Sequence, residues 1–349
     1  MLRLERGVVR SAGAPSGPTG AGPTGTGEQR LGVELADGEH PAVADVGLVG
    51  GCEVGDEVIV NVAARQLGLG SGGFDIVHAN LTRGLRAPPL GAEHVLKLNY
   101  TSLQHEIDPV DARVGEAAVS ELAGAPVAVL ALHGQLAAVA WACAGARLGY
   151  VQTAGAALPG SHSRTVGELR ARGLLADHIT AGGAFGGSSG DAVTTAGALA
   201  YGFSRRGWEA AICGPGPGIV GSGSSLGHGG LVALESAHTA LALGAATVIV
   251  PRLSSGDPRP EHRGLSHHTR SVLELMLASA IVALPAGEPV PELRGRRHDW
   301  RERQVDLAGY AASGLPDEVM GRPLGDDVLF FAAALAGGVV LGELASARR

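Results

Sequence analysis

The stretch WEAAICGPGPGIVGSGSSLGHGG, residues 208–230, sets the pattern on which the chain is built. A short apolar segment, Glu209 to Cys213, predicts a β-strand. Glycines, serines and His228 follow it, and a helix is predicted to begin near Leu231. A strand that opens through a glycine-rich loop into a helix is typical of wound α/β domains, in which the ligand loops lie along one edge of the sheet.

The same unit recurs from Pro126 onward. Strands are predicted at 127–132, 148–153, 178–181, 210–213, 247–253 and 281–284, and helices between them at 136–144, 165–172, 191–206, 231–243 and 268–280. Apolar strands separated by helices of this length predict a mostly parallel, doubly wound sheet with helices on both faces. A polar tract, 288–325, precedes a last predicted helix at 326–345.

The first hundred residues have a different pattern. Short alternating segments and an Asp37-Gly38 turn signal predict hairpins, and therefore a small β-barrel-like or β-sandwich domain at 1–100. The Gly/Pro/Thr-rich stretch 12–27 predicts a mobile hairpin loop whose role the sequence leaves open. Residues 101–125 are then a junction, and 126–349 form the three-layer α/β domain with its C-terminal helix.

Composition excludes several classes of protein. The net charge is -7 and no basic stripe is present, so we expect no nucleic-acid partner. The three cysteines are far apart and form no disulfide framework, which together with an N-terminus lacking an apolar signal segment indicates a cytoplasmic protein. The apolar run 328–342 is short for a membrane span, so we expect a buried core helix and no membrane partner. Helices rich in Ala and Gly are compatible with a homo-oligomer.

The loop 182–190, GGAFGGSSG, precedes a predicted helix with Asp191, Thr194 and Thr195 in its first turns. Glycines allow close approach, and free N–H groups at a helix start attract anions, so this loop can form an anion cradle. The alternative is ordinary capping of the helix by Ser189 or Asp191.

The same loop contains G-x-S-x-G around Ser188, the spacing that exposes a nucleophilic serine on a tight strand-to-helix turn. Asp257 and His267 follow in the order that such hydrolases use. Four residues stand between the strand and the motif, which argues against a tight turn. A serine hydrolase using Ser188, Asp257 and His267 therefore remains an alternative hypothesis.

The loop 214–230 formally contains G-x-G-x-x-G at Gly216, Gly218 and Gly221. It follows the fourth predicted strand, is interrupted by Pro217, and has no acidic residue at the end of the next strand, so ordinary NAD binding is disfavoured. The Lys-Ser/Thr pair of a P-loop is missing as well, which disfavours P-loop ATP binding. A phosphate or carboxylate cradle of another kind remains open.

Histidines gather late in the chain, at 228, 238, 262, 267 and 268, with Asp257 and Glu261 among them. Loop histidines beside carboxylates can be metal ligands or general bases. Each one taken alone is more often a solvated side chain, and His238, predicted in mid-helix, is expected to be structural. A divalent metal is compatible with this group, but the sequence does not identify one.

Four segments together resemble the bacterial DUF3866 family: GPGPGIVGSGSSLGHGG at 214–230, DAVTTAGALAYG at 191–202, VLKLNYTSLQ at 95–104 and RGLSHHTRSVL at 263–273. The resemblance extends over nearly the whole chain, apart from the insertion at 12–27. The family is defined by sequence and has no assigned activity, so the resemblance implies one shared architecture and supplies no reaction.

These observations predict a protein that binds a small anionic ligand, carrying phosphate or carboxylate, in loops at the carboxyl ends of the strands. Whether it is an enzyme stays open. If it is, His228, His267 and Asp257 are the expected catalytic residues, and a regulatory or scaffold module without turnover is the alternative. The expected ligand-binding residues are Gly183, Gly187, Ser188, Ser189, Asp191, Thr194, Gly216, Gly218, Ser222, Ser224, Ser225 and His268.

Overall fold

The computed structural model describes residues 1–15, 27–68, 73–84, 95–143, 145–295 and 297–349, with the side chains of all of these except 116, 117 and 119. Most of the predicted 12–27 loop, part of the glycine-rich junction near residue 70, and Ala144 at the end of a predicted helix lie outside the described residues. The chain divides into two compact units, Met1–Asp108 and Pro109–Arg349.

The first unit contains a closed five-stranded barrel, in the order β1-β2-β3-β5-β4. The barrel strands are β1 Leu4–Ala12, β2 Glu28–Leu35, β3 Gly38–Asp45, β4 Glu57–Asn61 and β5 Asp75–Asn80. Only β3 and β5 pair in parallel. Val9, Val58 and Val60 are fully buried in the barrel, because alternate side chains of a barrel strand point inward. Of the two architectures expected from the sequence, the barrel is confirmed.

Smaller elements complete the first unit. They are the short helices α1 Val46–Val49 and α2 Ala63–Gln66, and an antiparallel pair formed by β6 Val95–Lys97 and β7 His105–Ile107. Asp45 caps α1 by accepting hydrogen bonds from the N–H groups of Gly47 and Leu48.

The second unit is built on an eight-stranded sheet in the order β11-β10-β9-β12-β8-β13-β16-β17. Every strand pair within it is parallel, which confirms the predicted α/β class. The strands are β8 Pro126–Leu130, β9 Leu148–Thr153, β10 Asp177–Ala181, β11 Asp191–Ala192, β12 Ala210–Pro215, β13 Ala246–Val250, β16 Ile281–Pro285 and β17 Asp299–Arg303. Two-stranded pairs are formed by β14 Leu253–Ser254 with β15 Gly264–Leu265 and by β18 Glu318–Val319 with β19 Arg322–Pro323.

Helices cover both faces of this sheet. They are α3 Leu136–Ala142, α4 Arg164–Ala171, α5 Thr195–Arg205, α6 Val232–Ala242, α7 His267–Leu275, α8 Leu307–Ala312 and α9 Val328–Arg348. The alternation of the strands separates two cores. In β8, Val127 and Val129 join a core with α5, α6 and α7, while Ala128 and Leu130 join another with α3, α4 and α9. Strands buried on both sides explain why the sequence shows them as continuous apolar runs.

Helix α9 is long and apolar enough to cross a membrane by length and composition alone. It instead packs on α3 and on the sheet, and Phe330, Phe331 and Leu341 are almost fully buried there. Its Gly338 allows close approach, because a Cβ at that position would lie 2.4 Å from the carbonyl oxygen of Val139 in α3. The expectation that this run is a core helix is confirmed.

The predicted and observed elements differ in several places, among them the helix expected to run to residue 280, which ends at Leu275. The strand expected to run to residue 253 ends at Val250, because Pro251 follows and lacks the N–H that a central strand needs. The helix expected from residue 191 begins at Thr195, since Asp191–Ala192 pairs as β11 with β10. The polar tract 288–325, for which no element was predicted, contains α8 and β17, and the sequence of β17, DWRER, is that of a charged edge strand.

Candidate functional site

The sheet has a topological switch between β8 and β12. The connection after β8 leads to α3 on one face, and the connection after β12 leads to α6 on the other. Ligands of open α/β sheets bind in the crevice outside the strand ends at such a point. The loops after β12 and β13 carry the histidines that the sequence singled out.

Four of these histidines pack against one another and are called here the histidine cluster: His228, His262, His267 and His268. The rings of His228 and His268 stack with centroids 3.9 Å apart and planes 10° apart. The centroids of His267 and His268 are 4.5 Å apart, and those of His262 and His267 4.8 Å apart. The structure thus brings together residues that lie up to 40 positions apart in sequence.

Local structure after β13 places three of the four. The β14–β15 pair closes a loop that contains His262 in a 3-10 turn, and α7 begins at His267. Ser266 caps α7 by accepting a hydrogen bond from the N–H of His268, and the same hydroxyl lies 2.7 Å from Nδ1 of His262. One serine therefore orients the imidazole of His262 and caps the helix that carries His268.

His228 comes from the other loop. Residues 220–229 double back on themselves, with an isolated bridge between Gly221 and His228. Nε2 of His228 lies 3.1 Å from the carbonyl oxygen of Ser225, which can only accept, so Nε2 carries the proton and Nδ1 a lone pair. Ser271 of α7 donates to the same carbonyl and joins the two loops. Nδ1 of His228 is buried and has no hydrogen-bond partner among the described residues.

Burial lowers the pKa of every member of the cluster. The pKa of His262 falls to about 4 and that of His268 to about 2, in both cases through burial first and then through neighbouring charges that include Arg252. The pKa values of His228 and His267 are lowered as well, again chiefly by burial. All four imidazoles are therefore neutral near pH 7, the state in which imidazole accepts a proton or a metal ion.

An arginine network lies directly beside the cluster. Arg252 lies between β13 and β14 and is 1% exposed. One of its terminal nitrogens donates to Asp257 at 2.9 Å, and the other lies 3.4 Å from Nδ1 of His268. The fully buried Asp257 also accepts from Arg259 and Arg322. Burial opposes ionisation of Asp257, but hydrogen bonds from Arg259 and the surrounding guanidinium charges hold its pKa well below its usual range.

The network has more positive than negative groups. A fourth arginine, Arg263, donates to the main-chain oxygen of Asp257, and Arg322 also donates to Asp327. Four guanidinium groups thus meet two carboxylates that accept hydrogen bonds from them among the described residues. Asp327 is further held by Ser254 and by the N–H groups of Ser255 and Gly256. The charge of Glu261 also acts on Arg259 and His267, so three carboxylates face the four guanidinium groups. The remaining positive charge beside neutral imidazoles favours an anion.

Three members of the cluster could hold a metal ion. Potential ligand atoms of His262, His267 and His268 all lie within 4.8 Å of one another. Three histidines with an open fourth position are the ligand set of several catalytic zinc sites.

The glycines and serines expected to bind ligand in the 214–230 loop mainly build that loop. A Cβ on Gly216 would lie 2.3 Å from the carbonyl oxygen of Ala157, and Gly218 has φ +76°. Ser222 and Ser224 hydrogen bond to the main chain of Gly227. Ser225 contributes its carbonyl oxygen to His228, as described above. The loop thus presents His228, and its own hydroxyls close the turn.

The loop 182–190 follows a different course. It folds back along β10, where the N–H of Ser189 donates to the carbonyl oxygen of His178 and its hydroxyl accepts from the N–H of the same residue. Gly187 is confined there, since a Cβ would lie 2.2 Å from the carbonyl oxygen of Gly190. Gly183 is exposed. The hydrogen bonds that this loop makes to the rest of the described chain lead to β10, Arg170, Asp191 and residues 158–160. None of those described leads to the histidine cluster.

Ser188 has partners that the sequence did not suggest. Its hydroxyl lies 3.4 Å from Nδ1 of His178 and accepts from Arg170. His178 is buried, stacks on Tyr150, and contacts Gln152 through Nε2 at 3.1 Å. Asp257, by contrast, is hydrogen bonded to arginines. The hydrogen bonds of the described residues therefore do not join Ser188, Asp257 and His267 into a triad.

The predicted anion cradle at the start of α5 holds a carboxylate of the chain itself. Asp111 accepts from the N–H groups of Val193 and Thr194 at 3.0 and 3.3 Å. Thr194 caps the helix by accepting from the N–H of Gly197. Asp191 accepts from the N–H of Gly186 and from Thr180. Anion binding at this helix start is thus physically favoured, and Asp111 supplies the anion.

Sequence reasoning indicated Arg263 as a residue that could hold an anion, but it missed the roles of Arg252, Arg259 and Arg322 and the polar side chains near Ser188. Arg322 lies in the polar tract 288–325, for which the sequence predicted no element. His133, buried and 2.7 Å from the hydroxyl of Ser163, was not considered. A buried Arg-Asp pair separated by five residues, as in Arg252 and Asp257, is the one local signal that could have pointed to the network.

Fold and site together define a class: an α/β protein with an eight-stranded parallel sheet, an N-terminal barrel, and a histidine–arginine cluster in the loops after two of the sheet strands. Residues 42–338 match the family model described as "Protein of unknown function (DUF3866)", so the chain belongs to this family, and the resemblance seen in the sequence is confirmed. No curated protein and no solved structure matches the chain.

Proposed function

We propose that this protein binds a small anionic ligand, carrying a phosphate or carboxylate group, at the histidine cluster and the arginine network beside it. The observation that carries the proposal is the surplus of guanidinium groups around Asp257. Arg252 is buried but paired with Asp257, so the excess charge lies on the more exposed arginines around that pair. An anion at this place would balance it.

The exposure of the arginines indicates which of them reach a ligand. Arg252 is buried and tied to Asp257, so it acts as a fixed charge behind the site. The side chain of Arg259 is 49% exposed, and Arg263 is exposed as well. Arginine forks match the geometry of phosphate and carboxylate oxygens, and these two can offer their free N–H groups to a ligand.

His228 is the best placed acid/base group. Its tautomer is fixed by the Ser225 carbonyl, and its Nδ1 lone pair has no hydrogen-bond partner among the described residues. A general base needs such a lone pair within reach of the proton that it removes. If ligand binding is followed by chemistry, His228 is the residue that exchanges the proton.

A cytoplasmic location and a small-molecule partner, without nucleic acid or membrane, belong to the same proposal.

The test is a thermal-shift screen of the full chain against orthophosphate, sugar phosphates, nucleotides and dicarboxylates. A ligand at 100 times its Kd stabilises by about 2.7 kcal/mol, which in a unit of this size raises Tm by about 5–10 °C. Arg259→Gln should raise the Kd of the ligand that shifts Tm by about tenfold or more, since the change removes a charge-assisted hydrogen bond. Arg172→Gln is the control, because Arg172 pairs with Glu168 on α4.

Two results would contradict the proposal. One is that no anion shifts the Tm of the wild-type protein. The other is that an anion does so equally in Arg259→Gln and Arg263→Gln. The first result would favour a regulatory or scaffold module, and the second would mean that the anion binds away from these arginines.

A further inference from the structure

We propose that His262, His267 and His268 bind one divalent transition-metal ion and leave a coordination position open to the anion. This inference deepens the proposed function and rests on it in one respect, that the ligand at the open coordination position is the anion. Metal binding itself requires only the three imidazoles. It is therefore testable without any anion.

The spacing of the three imidazoles is close to that of a metal site. Their potential ligand atoms lie within 4.8 Å of one another. Nitrogens bound to a tetrahedral ion with metal–nitrogen distances of about 2.0–2.1 Å are about 3.3 Å apart. The three ligand nitrogens therefore need to approach one another by about 1.5 Å or less to bind one ion. Rotation of the half-buried His267 at the first position of α7 supplies part of that movement.

Hydrogen bonds outside the set orient the ligands. Nδ1 of His262 lies 2.7 Å from the hydroxyl of Ser266, and a proton donated from Nδ1 to that oxygen leaves the Nε2 lone pair for a metal. This is the usual support of a histidine ligand, whose second nitrogen donates to a neighbouring group. The Ser266 hydroxyl is itself held by the main-chain N–H of His268, which ties the imidazole of His262 to the first turn of α7.

The charge of Arg259 opposes a cation at His262 and His267, and so does that of Arg252. A terminal nitrogen of Arg252 lies 3.4 Å from Nδ1 of His268, and that contact must lengthen when His268 takes a metal. The contact is already long for a hydrogen bond, and Arg252 keeps its 2.9 Å bond to Asp257. The remaining repulsion is offset when an anion joins the metal. Metal and anion should therefore each strengthen the binding of the other, by the same factor.

The donor set selects the class of metal. Imidazole nitrogens suit zinc, cobalt, nickel and copper, whereas magnesium and calcium require oxygen ligands. The fourth imidazole, His228, stacks face to face on His268 and so lies beside the set. A base beside an open metal position is the arrangement of metal-assisted hydrolysis and hydration.

The experiment uses full-length protein without a histidine tag, freed of metal by a chelator and dialysed into buffer without phosphate or carboxylate. Titration with Co²⁺, followed by its visible absorption bands, and with Zn²⁺, followed by calorimetry, should give one ion per chain. Mg²⁺ should not compete. His267→Ala and His262→Ala should each weaken binding at least about tenfold, since removing a ligand costs no less than removing its supporting partner. His238→Ala is the matched control, because His238 accepts from the N–H of Leu277 outside the cluster.

The inference is overturned if the wild-type chain binds no stoichiometric Co²⁺ or Zn²⁺, or if His267→Ala binds them as well as the wild-type does. His267 is half-buried at a helix start, so its variant should fold even if His262→Ala does not. Titrating the anion without metal separates the two proposals. Anion binding that persists while metal binding fails overturns the metal site alone, and metal binding without anion binding overturns the proposed function alone.

Discussion

Replacing Asp257 by Asn tests the electrostatic account of the site most directly. The side chain is fully buried and accepts hydrogen bonds from Arg252, Arg259 and Arg322. Asparagine has nearly the same volume, so the change removes the charge and leaves the packing. Arg259 and Arg322 have exposed fractions of 49% and 15% and can turn to water, but Arg252, at 1%, cannot.

The expected cost is set by that one trapped guanidinium. Removing one partner of a buried ion pair typically destabilises by about 3–5 kcal/mol. In a unit of this size the change lowers Tm by about 6–20 °C. The three tryptophans, Trp141, Trp208 and Trp300, all lie in the second unit, so tryptophan fluorescence during denaturant unfolding reports on that unit alone.

The control is Asp299→Asn, which breaks an exposed pair with Arg301 and should cost about 1 kcal/mol or less. A loss below about 1 kcal/mol for Asp257→Asn would refute the reasoning. It would show that a group other than Asp257 compensates the charge of Arg252. The site would then have less excess positive charge than the proposal of an anionic ligand assumes.

Three further predictions concern the rest of the second unit. His178 has a pKa of about 3 through burial, against about 6.5 unfolded, so its contribution to stability is complete above pH 6.5 and is lost as the pH falls toward 3. His178 alone should make unfolding easier by about 2 kcal/mol at pH 5 than at pH 7, and His178→Gln should reduce the slope of stability against pH by that amount. Asp111→Ala should destabilise by about 0.5–2 kcal/mol at the start of α5, and added sulfate should restore part of the loss, which urea unfolding with and without sulfate measures. Gly202→Ala places a Cβ 2.1 Å from the Trp208 ring and should cost about 1–3 kcal/mol by the same assay, whereas Gly167→Ala, with open space around it in α4, should be neutral or stabilising.

The sheet was predictable because its strands are buried on both sides. PVAVL in β8 and AAICGP in β12 are apolar at every position, and each is followed by a helix. β17 was not predictable, because an edge strand with one partner tolerates charges such as those of DWRER. Periodicity thus identifies central strands and fails at edges, where solvent removes the constraint on side-chain type.

The histidine cluster was only partly predictable. His228 and the 254–268 loop follow strands that are consecutive along the chain, which is why they were expected on one rim. In the sheet those strands, β12 and β13, are separated by β8. The loops nevertheless meet, because Ser271 of α7 reaches the carbonyl oxygen of Ser225. No local pattern in the sequence encodes that contact.

The partners of Asp257 and Ser188 could not be predicted for a related reason. Arg322 pairs with Asp257 across 65 residues, and Ser188 meets His178 because the loop between them folds back along β10 instead of projecting from the sheet edge. A glycine-rich loop can adopt either course, since its glycines restrict the backbone little. The motif G-x-S-x-G therefore carried no information on where its serine would lie.

The two halves of the site have opposite electrostatic preferences, and this opposition limits what can occupy it. The guanidinium surplus around Asp257 repels a cation, whereas the neutral imidazoles of His262, His267 and His268 offer lone pairs that can coordinate a metal ion. An anion alone leaves those lone pairs unused, and a metal alone adds positive charge beside Arg252. Only the two together satisfy both halves. Raising the metal concentration should therefore lower the apparent Kd of the anion, and a site in which the two Kd values are independent would contradict this account.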